Sequence, residues 1–94
     1  MFNIKVDDEG NVILSGRLDA SQVENANVVL DEISESRIID FSNLEYISSA
    51  GMGLFLKVHR RLSETGDKLT LKNLNKHIGD VFHYAGFDKI FEII

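Results

Sequence analysis

The segment of this 94-residue chain best suited to chemistry is a run of serines and small residues, Ser48-Ser49-Ala50-Gly51-Met52-Gly53. It follows an apolar stretch and precedes a helical pattern, so its serine hydroxyls are expected at a helix N-terminus. Such a hydroxyl can cap the helix by accepting a hydrogen bond from a free backbone N–H. It can also accept a phosphate, which would meet unpaired N–H groups and the positive end of the helix dipole. The two roles are compatible, and the residues alone leave both open.

Other residue types that support catalysis form no recognisable site. The stretch from Gly51 to Gly53 lacks the third glycine of a dinucleotide fingerprint and the lysine of a phosphate-binding loop. The histidines, His59, His77 and His83, do not have the i, i+4 spacing that places two metal ligands on one helical face. A small nucleotide-binding enzyme therefore remains the weakest alternative, and we expect no catalytic residue, no metal and no cofactor.

Composition and charge restrict the partners. Fifteen acidic residues against ten basic ones give a formal net charge of -5, which opposes a general attraction to nucleic acid phosphates. The chain has no cysteine, no signal-peptide pattern near residue 1 and no apolar stretch long enough to span a bilayer. We therefore expect a cytoplasmic protein that binds neither nucleic acid nor membrane, with one domain over residues 1–94.

Hydrophobic periodicity predicts an alternation of strands and helices. Apolar and polar residues alternate over 2–7, turn residues follow at 8–11, and Val12–Leu14 completes an antiparallel hairpin. Helical spacing then alternates with short apolar runs. The remaining predicted elements are a helix capped by Asp19 or Ser21, a strand at 37–41, a helix from Ser49 to Thr65, a strand at 68–72, a helix at 74–85 and a strand at 90–94. This order predicts an α/β fold in which a mixed sheet, an N-terminal hairpin plus parallel strands, is backed by helices.

The chain contains three spaced motifs, which are Gly16-Arg17-Leu18-Asp19, the run from Ile39 to Leu54, and Gly86-Phe87. Together they resemble the STAS domain family, which includes bacterial anti-sigma-factor antagonists. Gly16-Arg17-Leu18-Asp19 is similar to the family's Gly-x-Leu-Asp after strand two, and Gly86-Phe87 resembles the pair before its closing strand. The central signature of the family resembles Ile39-Asp40-Phe41-Ser42-Asn43-Leu44-Glu45-Tyr46-Ile47-Ser48-Ser49-Ala50-Gly51-Met52-Gly53-Leu54. The similarity runs over nearly the whole chain.

The resemblance implies a phosphorylation-controlled partner switch. Ser49 matches the family's phosphoacceptor, and its partners would be an anti-sigma factor that is also a serine kinase, and a serine phosphatase. The implied partner-binding residues are Asp19, Ser48, Ser49, Ala50, Gly51 and Met52. The chain departs from the family pattern at Ser48, where many members have Asp, so either partner recognition differs or Ser48 shares the acceptor role. The alternative is a non-phosphorylated STAS adaptor subunit of a transporter or signalling complex.

Overall fold

The N-terminal hairpin joins β1 (Phe2–Val6) to β2 (Val12–Leu18) in the computed structural model, which describes residues 1–94. The connecting turn is held by the carboxylate of Asp7, whose Oδ1 accepts the backbone N–H groups of Glu9 and Asn11, each at 2.9 Å. A carboxylate that binds its own downstream backbone in this way stabilises a turn directly. The predicted antiparallel hairpin is confirmed, with β2 continuing four residues beyond its predicted end at Leu14.

The remaining strands join β2 in parallel, and the sheet order follows the chain order from β1 to β5. One helix connects each parallel pair. Because such crossovers are right-handed, a sheet built in sequential order carries all of its crossover helices on the same face. The elements after the hairpin are α1 (Val23–Leu30), β3 (Arg37–Ile47), α2 (Ser49–Ser63), β4 (Leu69–Lys72), α3 (Lys76–Tyr84) and β5 (Glu92–Ile93), with short 3₁₀ turns at Ala20–Gln22 and Phe87–Lys89. The predicted mixed sheet backed by helices is confirmed.

The two faces of the sheet differ sharply in burial. The inward side chains of β2, β3 and β4 are buried against the helices and include Leu14, Phe41 and Leu71, each 0% exposed. The alternate side chains of these strands and of β1 point away from the helices and are half-buried or exposed. We call this second surface the open face; it carries Lys5, Ile13, Ser15, Asp40, Thr70 and Lys72. None of the helices combines the length and the apolar character that a membrane crossing requires.

Strand β3 is longer than predicted because two bulges disguise its pattern. The prediction ended it at Phe41, since the next buried positions, Leu44 and Ile47, come at steps of three rather than two. The pairing register between β2 and β3 shifts twice within this stretch. Each shift absorbs one extra residue of β3, which returns the next apolar side chain to the core. Residues 42–47, which lie beyond the predicted end of the strand, therefore belong to β3.

The closing strand is shorter than predicted. Pairing with β4 is limited to Glu92 and Ile93, although apolar residues run from Ile90 to the end of the chain. The ring of Phe87 packs edge-on against Phe82, with centroids 5.7 Å apart. This contact holds Phe87–Lys89, the residues before the strand, in a 3₁₀ turn. Ile90 ends that turn, so its backbone is not extended and cannot join the sheet.

Gly16 is a position where β1 and β2 approach too closely for any side chain. Its φ is +83°, and a Cβ atom there would lie 1.5 Å from the carbonyl oxygen of Met1. The same carbonyl accepts the N–H of Arg17 at 3.2 Å. The glycine of the Gly16-Arg17-Leu18-Asp19 motif is therefore required by the backbone itself.

Candidate functional site

The carboxyl ends of β2 and β3 bring two of the sequence motifs together. Leu18 lies opposite Ile47 in the parallel register, and the Ser48 N–H donates to the Leu18 carbonyl at 2.9 Å. Asp19 directly follows β2 and Ser48 directly follows β3, so both residues lie at the same edge of the sheet. This edge is where ligand and partner sites commonly form in open α/β sheets.

Ser48 is the N-cap of α2. Its backbone is extended, with φ -85° and ψ 166°, and its Oγ accepts the N–H of Gly51 at 3.1 Å. Its carbonyl accepts the first helical hydrogen bond, from Met52, at 2.9 Å. The side chain is half-buried. The hydroxyl of Ser48 therefore has a structural task already, as expected of a serine before a helix.

Ser49 is the first residue of α2, and its side chain is exposed. Its hydroxyl makes no hydrogen bond within the protein. The N–H groups of Ser49 and Ala50 have no acceptor within the first turn, because the cap of Ser48 serves only Gly51. The first turn contains no acidic residue, whereas the last turn carries basic ones. No acidic side chain of α2 itself therefore compensates the positive end of the helix dipole beside this accessible hydroxyl.

Gly51 and Met52 are buried beneath this hydroxyl. A Cβ on Gly51 would lie 2.9 Å from Cγ of Leu18 and 3.1 Å from Cγ1 of Ile47, so only glycine allows α2 to approach the strand ends this closely. Met52 is 6% exposed and belongs to the core. Of the residues that the family resemblance implied for partner binding, these two offer almost no surface, whereas Ser49 and Ala50 are exposed and Ser48 and Asp19 are half-buried.

Asp19 caps the 3₁₀ turn that precedes α1. Its Oδ1 accepts the backbone N–H of Ser21 at 3.0 Å and the Ser21 hydroxyl at 2.5 Å. The hydrogen bond from the Ser21 side chain is the main reason that the pKa of Asp19 lies below its ordinary value. Ser21 is thus a donor to Asp19 and not the cap of α1, whose N-cap is Gln22 without a side-chain hydrogen bond. At neutral pH the site edge carries a fixed negative charge at Asp19.

One pair of side chains at this edge was not predicted from the sequence. The guanidinium carbon of Arg17 lies 4.4 Å from the centroid of the Tyr46 ring, a cation–π contact. The two residues are opposite each other only because the β2–β3 register shifts just before them. Arg17 is part of a recognised motif, but its partner depends on bulges that periodicity does not reveal.

Alanine substitution of the two adjacent serines is expected to lower the free energy of unfolding by different amounts. Ser48→Ala should lower the free energy of unfolding by about 1 kcal/mol, because it removes the N-cap hydrogen bond. Ser49→Ala should change it by less than about 0.5 kcal/mol, because the exposed hydroxyl has no partner in the fold. Urea denaturation of both variants beside the wild-type protein measures the difference. If Ser49→Ala lowered the free energy of unfolding as much as Ser48→Ala or more, the assignment of Ser48 as the cap of α2 would be wrong.

The chain is similar to proteins of one family. A family model described as "Mlab, STAS domain" matches residues 4–94. A protein of Bordetella bronchiseptica assigned as the anti-sigma factor antagonist BtrV is 35% identical over 75 residues, and the match covers 79% of this chain but only 65% of that relative.

Solved structures share the fold over almost the whole chain. A crystal structure assigned as an anti-sigma factor antagonist from Thermotoga maritima superposes with a TM-score of 0.81 at 24% identity, covering 99% of this chain and 85% of that one. The Bacillus cell fate determinant SpoIIAA in the phosphorylated form superposes with a TM-score of 0.71 at 22% identity, covering 100% of this chain and 91% of that one. The family match, the shared fold and the three motifs agree: this chain belongs to the STAS domain family.

Proposed function

We propose that this protein is an anti-sigma-factor antagonist whose binding to an anti-sigma factor is controlled by phosphorylation of Ser49. The observation that carries the proposal is that two adjacent serines have different environments. Ser48 is held by the cap hydrogen bond, whereas Ser49 is exposed and unbonded beside two free backbone N–H groups. A kinase can reach the hydroxyl of Ser49 without breaking the fold.

The names of similar proteins support an antagonist role and its phosphorylation. The relative at 35% identity is assigned as an anti-sigma factor antagonist, and SpoIIAA, whose fold this chain shares, has been solved in a phosphorylated form. In the proposed cycle the unmodified protein binds an anti-sigma factor and so releases the sigma factor. The anti-sigma factor is also the serine kinase, and a serine phosphatase removes the mark. The protein itself acts as a cytoplasmic regulatory substrate and not as an enzyme.

The physical basis of the switch is the charge of one phosphate. Phosphoserine adds about 1.5 to 2 negative charges at neutral pH. Within the free domain, the unpaired N–H groups of Ser49 and Ala50 and the dipole of α2 compensate that charge. In a complex, the same charge must be desolvated against the partner, where a mismatched charge costs several kcal/mol. Phosphorylation therefore opposes binding more than it opposes folding.

The departure from the family at Ser48 preserves the geometry of the loop. Asp and Ser are both strong N-cap residues, so either can accept the N–H of Gly51. The exchange removes one negative charge next to Ser49. A non-phosphorylated adaptor role draws its support from this missing charge, because an acidic neighbour helps to engage the kinase in the family.

Phosphate labelling distinguishes the switch from the adaptor. The protein is incubated with ATP and each anti-sigma kinase encoded by its own organism, and the site is located by peptide mass spectrometry. We expect one phosphate, on Ser49, and none on the Ser49→Ala variant. The Ser48→Ala variant is the matched control and should still be labelled. A phosphate on Ser48 or Ser42 would overturn the site, and no phosphate from any kinase would favour the adaptor.

A further inference from the structure

The outer surface of α2 bears a shallow groove of about 480 Å³, which begins about one helical turn after Ser49. Gly53 begins it, and Leu56 provides its one apolar side chain. A Cβ added to Gly53 would meet no atom within 4 Å, so the groove is open at this end. The other residues that line it are Lys57, Arg60, Arg61 and Glu64. Three cationic side chains thus face a single carboxylate.

The positive charges of the groove are only partly neutralised. Lys57 lies 3.6 Å from the carboxylate of Asp31. Arg61 donates to the carbonyl oxygens of Ile33 at 2.6 Å and Leu30 at 3.1 Å, which hold the guanidinium in place without cancelling its charge. Arg60 is exposed and forms no ion pair. Two of the three cations therefore lack a carboxylate, in a chain whose net charge is -5.

Helical spacing places this groove on the same face of α2 as the phosphoacceptor. Ser49, Gly53, Lys57 and Arg60 follow one another at steps of three and four residues, and all four are exposed. A partner that covers Ser49 and follows the helix axis therefore meets the groove next. From Gly53 to Glu64 the helix rises about 16 Å, at about 1.5 Å per residue. An extended segment of about five residues would span that length.

We propose that this groove docks an acidic segment of the anti-sigma partner that also engages Ser49. Charge complementarity selects an acidic occupant, and the length of the groove selects a peptide segment over a small anion. The half-buried side chain of Leu56 provides an apolar contact for one residue of that segment. The inference rests on the proposed function for the identity of the partner but not for the chemistry of the groove.

A charge reversal with a matched control tests the groove. Arg60→Glu changes the net charge by the same amount as Lys5→Glu, and Lys5 is exposed on the open face of the sheet, opposite the helices. The probe is a short peptide of alternating Glu and Leu, titrated into isotopically labelled protein and followed by backbone NMR shifts. We expect saturable shifts around Gly53, Leu56 and Arg60 for the wild type and Lys5→Glu, and loss of those shifts for Arg60→Glu. A peptide of alternating Lys and Leu should not produce them.

The outcomes separate the groove from the proposed function. Shifts that scatter over the surface, or that persist in Arg60→Glu, would overturn the inference even if Ser49 is phosphorylated. If the peptide result holds, the anti-sigma kinase that labels Ser49 should bind Arg60→Glu about tenfold or more weakly than Lys5→Glu, with the difference shrinking as salt is raised. Equal binding of the two variants to that kinase would also contradict the proposal. Failure of Ser49 labelling with the peptide shifts intact would instead overturn the proposed function alone.

Discussion

The Ser49→Asp variant is expected to bind the anti-sigma kinase at least about tenfold more weakly than the wild-type protein, a loss of about 1.4 kcal/mol. Its new carboxylate would stand at an exposed position that the partner must desolvate. The melting temperature should change by only a few degrees, because α2 offers free N–H donors and the positive end of its dipole to the charge. Calorimetric titration of the kinase and thermal melts measure the two quantities.

An uncharged isostere provides the control for this variant. Ser49→Asn has nearly the shape of Ser49→Asp without its charge, so it should retain most of the affinity, and Ser49→Ala should retain it as well. The phosphorylated protein should lose at least as much affinity as Ser49→Asp, since it carries more charge. If the phosphorylated domain melted far below the unmodified one, the switch would act by unfolding the site, and the proposed mechanism would be wrong. Equal affinity of Ser49→Asp and Ser49→Asn for the kinase would show that a negative charge at position 49 does not control binding.

The largest loss of stability is expected from Gly16→Ala. The added Cβ would lie 1.5 Å from the Met1 carbonyl oxygen, so β1 must move away from β2, and the residue must also hold a φ of +83°. Left-handed backbone alone costs a non-glycine residue about 1 to 3 kcal/mol. We expect the free energy of unfolding to fall by more than about 3 kcal/mol, measured by urea denaturation, with loss of the hairpin.

Gly66→Ala is the matched control for the cost of holding a non-glycine residue in the left-handed backbone conformation. Gly66 has a nearly equal φ of +80°, but a Cβ there would meet no atom within 4 Å. Its substitution should therefore show the cost of the left-handed conformation without the contact. The difference between the two variants isolates the close approach to Met1. A Gly16→Ala variant no less stable than Gly66→Ala would show that β1 yields without cost.

The topology could be predicted from the sequence because most elements keep a simple period. The alternation in β4 and the helical spacing in α2 each match the structure. Prediction failed where a second influence altered the pattern. Two bulges in β3 hid the strand beyond Phe41, and the packing of Phe87 ended the run of residues that would otherwise extend β5.

The position of the candidate site could be predicted from the sequence, but the separate roles of its two serines could not. The motif identified both Ser48 and Ser49, and either could have been the cap. Their roles depend on which residue has extended backbone, a difference that is set by the hydrogen bond from the Ser48 N–H to Leu18 on the neighbouring strand. That contact is between residues far apart in the chain, so no local pattern contains it. The burial of Gly51 and Met52 beneath the site has the same non-local origin.

The open face gives this chain a surface that can diverge during evolution without disturbing its folding. Side chains such as Ser15, Thr70 and Lys72 alternate with buried ones along their strands, but no helix covers them. Substitutions at such positions commonly change stability by less than about 0.5 kcal/mol, whereas those in the core cost several times more. Paralogues that descend from a common ancestor can therefore acquire different recognition properties on the open face while they retain the same helix-covered core.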